Sequence, residues 1–209
     1  MDNINTYFLV MIFLLIITSI SAKQFGKEKL YMVVKPLTML FIIALPLLEV
    51  REEYSTYAYL IMTGLIFSLL GDLFLLFPDK YFNNGLYSFL VAHVLYIMAF
   101  NQKVDEHCFG IASVVIVFTI VVVKVLAPKL GAMKYPVILY ILVISAMLYS
   151  GLNVDRQLGA LSFVSVGAIL FIISDTVLAF NKFYKKISFA EPIILSTYFV
   201  AQLLFVMTI

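Results

Sequence analysis

The chain has 209 residues, 64% of them hydrophobic and only 12% charged, and its mean hydropathy is +1.08. That excludes an ordinary water-soluble domain, and a net charge of +2 supplies no basic surface for a nucleic-acid partner. The single cysteine, Cys108, excludes an internal disulfide and a CxxC metal or redox pair.

At about 20 apolar residues per crossing, spans are predicted at 4–22, 30–48, 56–77, 83–101, 108–126, 134–151, 158–180 and 191–209. The expected fold is an all-α integral membrane protein with eight transmembrane helices in a single polytopic domain over 1–209. The first span follows MDNINTY instead of a basic stretch, so it reads as a retained helix and not a cleavable signal. Eleven of the fourteen Lys and Arg residues border the odd-numbered loops, leaving Arg51, Lys103 and Arg156 for the even ones. The positive-inside rule then places the odd loops in the cytoplasm and both termini outside, in a bacterial inner (plasma) membrane.

The second span opens on VVKPLTM. Lys35 either snorkels to the headgroups or turns inward, as counter-ion to a buried acid or as a phosphate ligand; the inward role is favoured. Pro36 disfavours helical backbone at its neighbour, and prolines elsewhere are expected at helix ends. The third span contains GLIFSLLGDLFLLF (64–77) and the seventh GAILFIISDTVLAF (167–180). Asp72 and Asp175 thus lie in apolar runs, where a carboxylate costs about 2.5–3.5 kcal/mol on insertion and normally faces a polar cavity. The plain alternative is a structural pair satisfied by Ser, Tyr or Lys on neighbouring helices.

At an offset of 103 the two stretches share Gly64/Gly167, Asp72/Asp175 and three further identities, which suggests a parallel four-plus-four repeat around a central cavity. Gly71 and Ser174, each preceding an acid, let a neighbouring helix or ligand approach the backbone. Both acids are expected in the cytoplasmic half of the membrane. In the fourth span His93 shares a face with Tyr96 and reads equally as a site or a packing residue. His107 reads as solvated. Tyr140 in the sixth span, and Tyr198 with Gln202 in the eighth, add polar groups. Asp79, Glu49, Glu52, Glu53, Asp105, Asp155 and Glu191 read as loop or helix-end charges. Two scattered histidines and one cysteine do not make a three-ligand zinc site, so no metal or other cofactor is expected, and no GxSxG, Walker or HExxH pattern occurs.

KP at 35–36, GLIFSLLGDLFLLF, Phe82, GL at 85–86, Phe89, HxxY at 93–96, GAxxFxxSD at 167–175 and YxxAQ at 198–202 together resemble the YhhN-like family, which includes bacterial and animal lysoplasmalogenases. The resemblance runs from Lys35 to Gln202. It implies an ether hydrolase of the membrane that cleaves the vinyl ether of lysoplasmalogens to a fatty aldehyde and glycerophosphoethanolamine or glycerophosphocholine. Its partners would be a lysophospholipid substrate and the surrounding membrane lipids. By position it implies Asp72 and Asp175 as the catalytic acids, with Lys35, His93, Tyr140, Ser174, Tyr198 and Gln202 as substrate-binding candidates.

That chemistry suits paired carboxylates. A vinyl ether is inert to nucleophiles but is cleaved by acid through an oxocarbenium ion, which needs one protonated carboxyl and a second group to stabilise the cation and activate water. The competing reading is a proton-coupled carrier of small molecules or lipids that uses the intramembrane acids.

Overall fold

The structure, a computed structural model, describes residues 3–48, 53–158 and 161–209; Glu49, Arg51 and Glu52 lie outside the described residues, as does the side chain of Arg156. Every described element is helical: α1 (Asn3–Gln24), α2 (Glu28–Ala44), α3 (Thr56–Leu75), α4 (Pro78–Asn101), α5 (Phe109–Leu126), α6 (Lys134–Leu158), α7 (Phe163–Ala179) and α8 (Ala190–Val206), with short 3₁₀ turns after α2 and α5. In apolar surroundings a helix satisfies its own backbone, which is why the apolar runs fold this way. The helix ends carry ordinary signals. Ser55 and Ser162 cap α3 and α7 by accepting from the N–H of Ala58 and Ser165, each at 3.2 Å, and Pro78 occupies the first turn of α4. Gly26, at φ 66°, lets the chain reverse between α1 and α2 while the Lys27 N–H reaches back to the Ala22 carbonyl at 2.8 Å.

Six stretches are long and apolar enough to cross a membrane: Asn5–Gln24, Glu28–Leu48, Thr56–Leu75, Phe109–Lys129, Gly131–Asp155 and Phe163–Tyr184. The chain is an integral membrane protein. On α5, Val114, Ile116, Val117, Ile120 and Val121 are all exposed, an apolar face that belongs in lipid. Of the two helices outside the six, α4 carries the polar PDKYFNN at its start and α8 has 17 residues.

Pro36 sits inside α2, which starts at Glu28, and its ring leaves the Met32 carbonyl without its helical donor. One expectation is corrected: the break predicted after residue 151 is displaced. LNVDRQL holds no helix breaker, α6 runs to Leu158, and α7 begins only at Phe163, where Asp155 Oδ1 accepts from the Ser162 N–H at 2.7 Å. At the far end, α7 stops at Ala179 and a wider π-type turn, Phe180–Tyr184, follows.

The helices that carry the acids pack along their successors, α3 on α4 and α7 on α8. A Cβ on Gly64 would stand 2.3 Å from the Tyr96 ring and one on Gly71 2.5 Å from Phe89, both on α4; one on Gly167 would stand 2.6 Å from Phe205 on α8. The Tyr96 ring cannot swing aside freely, because its hydroxyl is hydrogen bonded to Gln202. Gly64→Ala is therefore expected to destabilise the protein by about 1–3 kcal/mol through overpacking, read as a lower thermal unfolding midpoint in detergent than that of the wild type.

Candidate active site

Side chains from all eight helices line a cavity of about 250 Å³ in which Asp72 and Asp175 both take part. Phe89, Tyr140 and Tyr198 give its lining an aromatic wall, backed by a buried ring. Phe171, one turn before Asp175, stands at the meeting point of α4, α7 and α8, with its ring centroid 6.3 Å from Phe89, 4.7 Å from His93 and 5.4 Å from Tyr198. These edge-to-face contacts hold the helices in register at the level of the acids.

Asp72 is buried and both of its oxygens are engaged. Oδ1 meets the Lys35 ammonium at 3.0 Å, and Oδ2 accepts from the Tyr198 hydroxyl at 2.7 Å. Lys35 therefore turns inward and does not snorkel; it selects Asp72 as its partner. The ammonium and the hydroxyl together offset the charge this carboxylate would carry where water is scarce. The Tyr31 ring lies one turn from Lys35 on the same face of α2, with the Lys35 ammonium 5.9 Å and the Lys23 ammonium 4.8 Å from its centroid.

Asp175 is placed differently. Its side chain is 12% exposed, no lysine or arginine pairs with it among the described residues, and its Oδ2 accepts from the Tyr140 hydroxyl. His93 Nε2 lies 2.9 Å from the Tyr140 oxygen and 3.5 Å from Asp175 Oδ2. Since Tyr140 gives its proton to Asp175, His93 must donate through Nε2, which assigns its tautomer from the network. The line His93, Tyr140, Asp175 Oδ2 leaves Oδ1 as the oxygen available to the cavity.

Of the six expected substrate-binding residues, Lys35, Tyr140, Ser174 and Tyr198 line the cavity together with the two acids. The Ser174 hydroxyl is committed, donating to the Ile194 carbonyl at 3.0 Å and tying α7 to α8. His93 and Gln202 are fully buried and stand behind the lining, where Gln202 Oε1 accepts from the Tyr96 hydroxyl at 2.8 Å and the Ser68 hydroxyl lies 3.3 Å from the Tyr96 hydroxyl oxygen. Among the described residues, His93 Nδ1 and Gln202 Nε2 meet no partner at hydrogen-bond geometry. His107 is exposed and stacks on Tyr149 at 5.5 Å.

Several lining residues escaped the sequence reading. Tyr31, Glu28, Asn181, Lys182, Lys186 and Glu191 border the cavity, although each lies near a helix end where a solvated role is the ordinary expectation. A signal did exist: Tyr31 precedes Lys35 by four residues and Lys182 follows Asp175 by seven, so both fall on faces already marked by those residues.

The chain matches the YhhN family over residues 30–209. It is 37% identical over 152 residues to the human lysoplasmalogenase TMEM86A, covering 69% of this chain and 62% of that protein, and 35% identical over 154 residues to the Rattus norvegicus lysoplasmalogenase TMEM86B, covering 72% and 61%. It is also 25% identical over 191 residues to the Escherichia coli membrane protein YhhN, covering 90% and 91%. The aligned part thus spans about three fifths of the length of the mammalian relatives but nearly all of the bacterial one. No solved structure matches the chain. With the match running from the first turn of α2 to the last residue and taking in both acids, the chain belongs to the YhhN family.

Proposed function

We propose that this protein is a lysoplasmalogenase: it hydrolyses the vinyl ether of a lysoplasmalogen to a fatty aldehyde and glycerophosphoethanolamine or glycerophosphocholine. The observation that carries the reading is that two differently held carboxylates line one cavity, and relatives named lysoplasmalogenase at 35–37% identity support it.

The geometry distributes the roles. Asp175, free of any lysine, is the acid; its proton passes from Oδ1 to the outer alkene carbon, and the positive charge that results is shared by the inner carbon and the ether oxygen. Asp72, paired with Lys35 and Tyr198, acts as the carboxylate that stabilises that oxocarbenium ion and takes a proton from the water that adds to it. The hemiacetal then collapses. Asp175 recovers a proton from its hydroxyl, Asp72 returns one to the glycerol oxygen as the C–O bond breaks, and both acids regain their starting states. Tyr140, fixed by His93, orients Asp175, and the aromatic wall limits water to the amount the reaction consumes.

In this reading all eight helices cross the membrane, α4 and α8 included, because a polar cavity in the protein's centre tolerates their polar residues. The α3–α4 and α7–α8 pairs are the two counterparts of a parallel repeat. Lys23, Lys182 and Lys186, from loops assigned to the cytoplasm, border the cavity, so the cavity opens in the cytoplasmic half of a bacterial inner membrane with both termini outside.

Purified protein in detergent, given 1-alkenyl-lysophosphatidylethanolamine, is expected to release free aldehyde, and to release none from the 1-alkyl analogue, whose saturated ether cannot be protonated at carbon. Silence toward the alkenyl lipid by folded protein would refute the hydrolase. Gradient-dependent uptake into proteoliposomes would then favour the carrier.

A further inference from the structure

The entrance of the cavity carries charge of both signs, and the arrangement is not random. Lys182 and Lys186 line the cavity, seven and eleven residues beyond Asp175, Lys182 in the π-type turn that follows α7 and Lys186 just past it. The segment that presents them is fixed: the Asn181 side chain accepts from the Ile187 N–H at 2.9 Å, and the Lys182 ammonium lies 4.3 Å from the Phe82 ring centroid.

Two carboxylates also border this entrance. Glu28 is engaged by Lys23 at 3.3 Å. Glu191 has no ion-pair partner among the described residues, is half-buried in the first turn of α8, and lines the cavity. The aromatic rings are equally informative. Tyr31 is covered by Lys23 and Lys35, while Phe82 and Phe183 are covered by Lys182. No uncovered ring among these three is left to build an aromatic box for a quaternary ammonium.

We infer that this entrance is a headgroup subsite for a zwitterionic phosphoethanolamine, with Lys182 and Lys186 binding the phosphodiester and Glu191 accepting hydrogen bonds from the primary ammonium. A choline headgroup has no N–H to give Glu191, so it binds more weakly. The subsite rests on the proposed function only in taking a glycerophospholipid as the occupant. The simpler role for Glu191, a negative charge at the N-terminus of α8, would affect stability and not headgroup choice.

The test is calorimetric titration of purified protein in detergent with 1-alkyl-lysophosphoethanolamine and 1-alkyl-lysophosphocholine, whose saturated ethers are not cleaved. The wild type is expected to prefer the ethanolamine lipid about tenfold. Glu191→Gln should bring the two affinities together, whereas Lys182→Ala with Lys186→Ala should weaken both by a similar factor. Retention of the wild-type ratio in Glu191→Gln, checked for folding by size-exclusion elution, would overturn the inference. Equal wild-type affinity for the two lipids, or inorganic phosphate binding as tightly as either of them, would also overturn it, the latter by making this a free-phosphate site. Wild-type protein that binds with this preference, yet releases no aldehyde from the alkenyl lipid, would uphold the subsite and sink the hydrolase.

Discussion

Asp175→Asn is expected to lower aldehyde release about 10²–10⁴-fold, the usual worth of a positioned general acid, while the protein still folds. The amide keeps an oxygen to accept from Tyr140, so the hydrogen bond from that hydroxyl survives, and no lysine is left uncompensated. What disappears is the proton that must reach carbon. The same substitution at Asp72 behaves differently. There the amide strands the buried Lys35 ammonium 3.0 Å away, and breaking a buried pair typically costs about 3–5 kcal/mol, so Asp72→Asn should lose stability as well as turnover. Initial rates of aldehyde formation, set beside thermal unfolding midpoints in the same detergent, separate the two. An Asp175→Asn protein that kept a tenth or more of wild-type activity would remove Asp175 from the role of acid, and the assignment of roles to the two acids would have to be reversed or abandoned.

Those motifs mark what the sequence could and could not disclose. The two acids were legible because a carboxylate in an apolar run is costly enough to demand a reason, and a lysine beside a proline in the second span was legible as a counter-ion for the same reason. Which acid Lys35 would choose was not legible. That choice depends on which of two similar helices lies beside α2, a matter of packing at long range, and it is the choice that makes the two carboxylates unlike. His93 was balanced between site and packing, and the structure places it between those roles: behind the cavity, yet hydrogen bonded to the tyrosine that serves Asp175. The α6–α7 boundary was misplaced because nothing in LNVDRQL interrupts a helix, and the true signal, the Ser162 cap, lies further on. The entrance charges were passed over for a more general reason. Glu191 and Lys182 sit where charges usually face water, and only the convergence of helix ends from distant parts of the chain turns them into a lining.

The Lys35–Asp72 pair admits a sharper question, whether it exists for the fold or for the chemistry. Lys35→Met leaves Asp72 buried with Tyr198 as its remaining hydrogen-bond donor, and should cost about 3–5 kcal/mol. Adding Asp72→Asn to it removes the orphaned charge. The double variant should therefore recover most of that stability, giving a coupling of about 3 kcal/mol in the cycle of four proteins, far above the few tenths expected of independent sites. Activity should not follow. With no anion opposite the oxocarbenium ion and no base for the water, the double variant should remain as inactive as either single one, even though it unfolds near the wild-type temperature. Recovery of aldehyde release together with stability would mean that the pair is a strut, and that Asp175 with Tyr140 and His93 suffices for catalysis. Stability restored without activity would mean that the cost of burying Lys35 is sustained to hold Asp72 within reach of the acid that protonates the substrate.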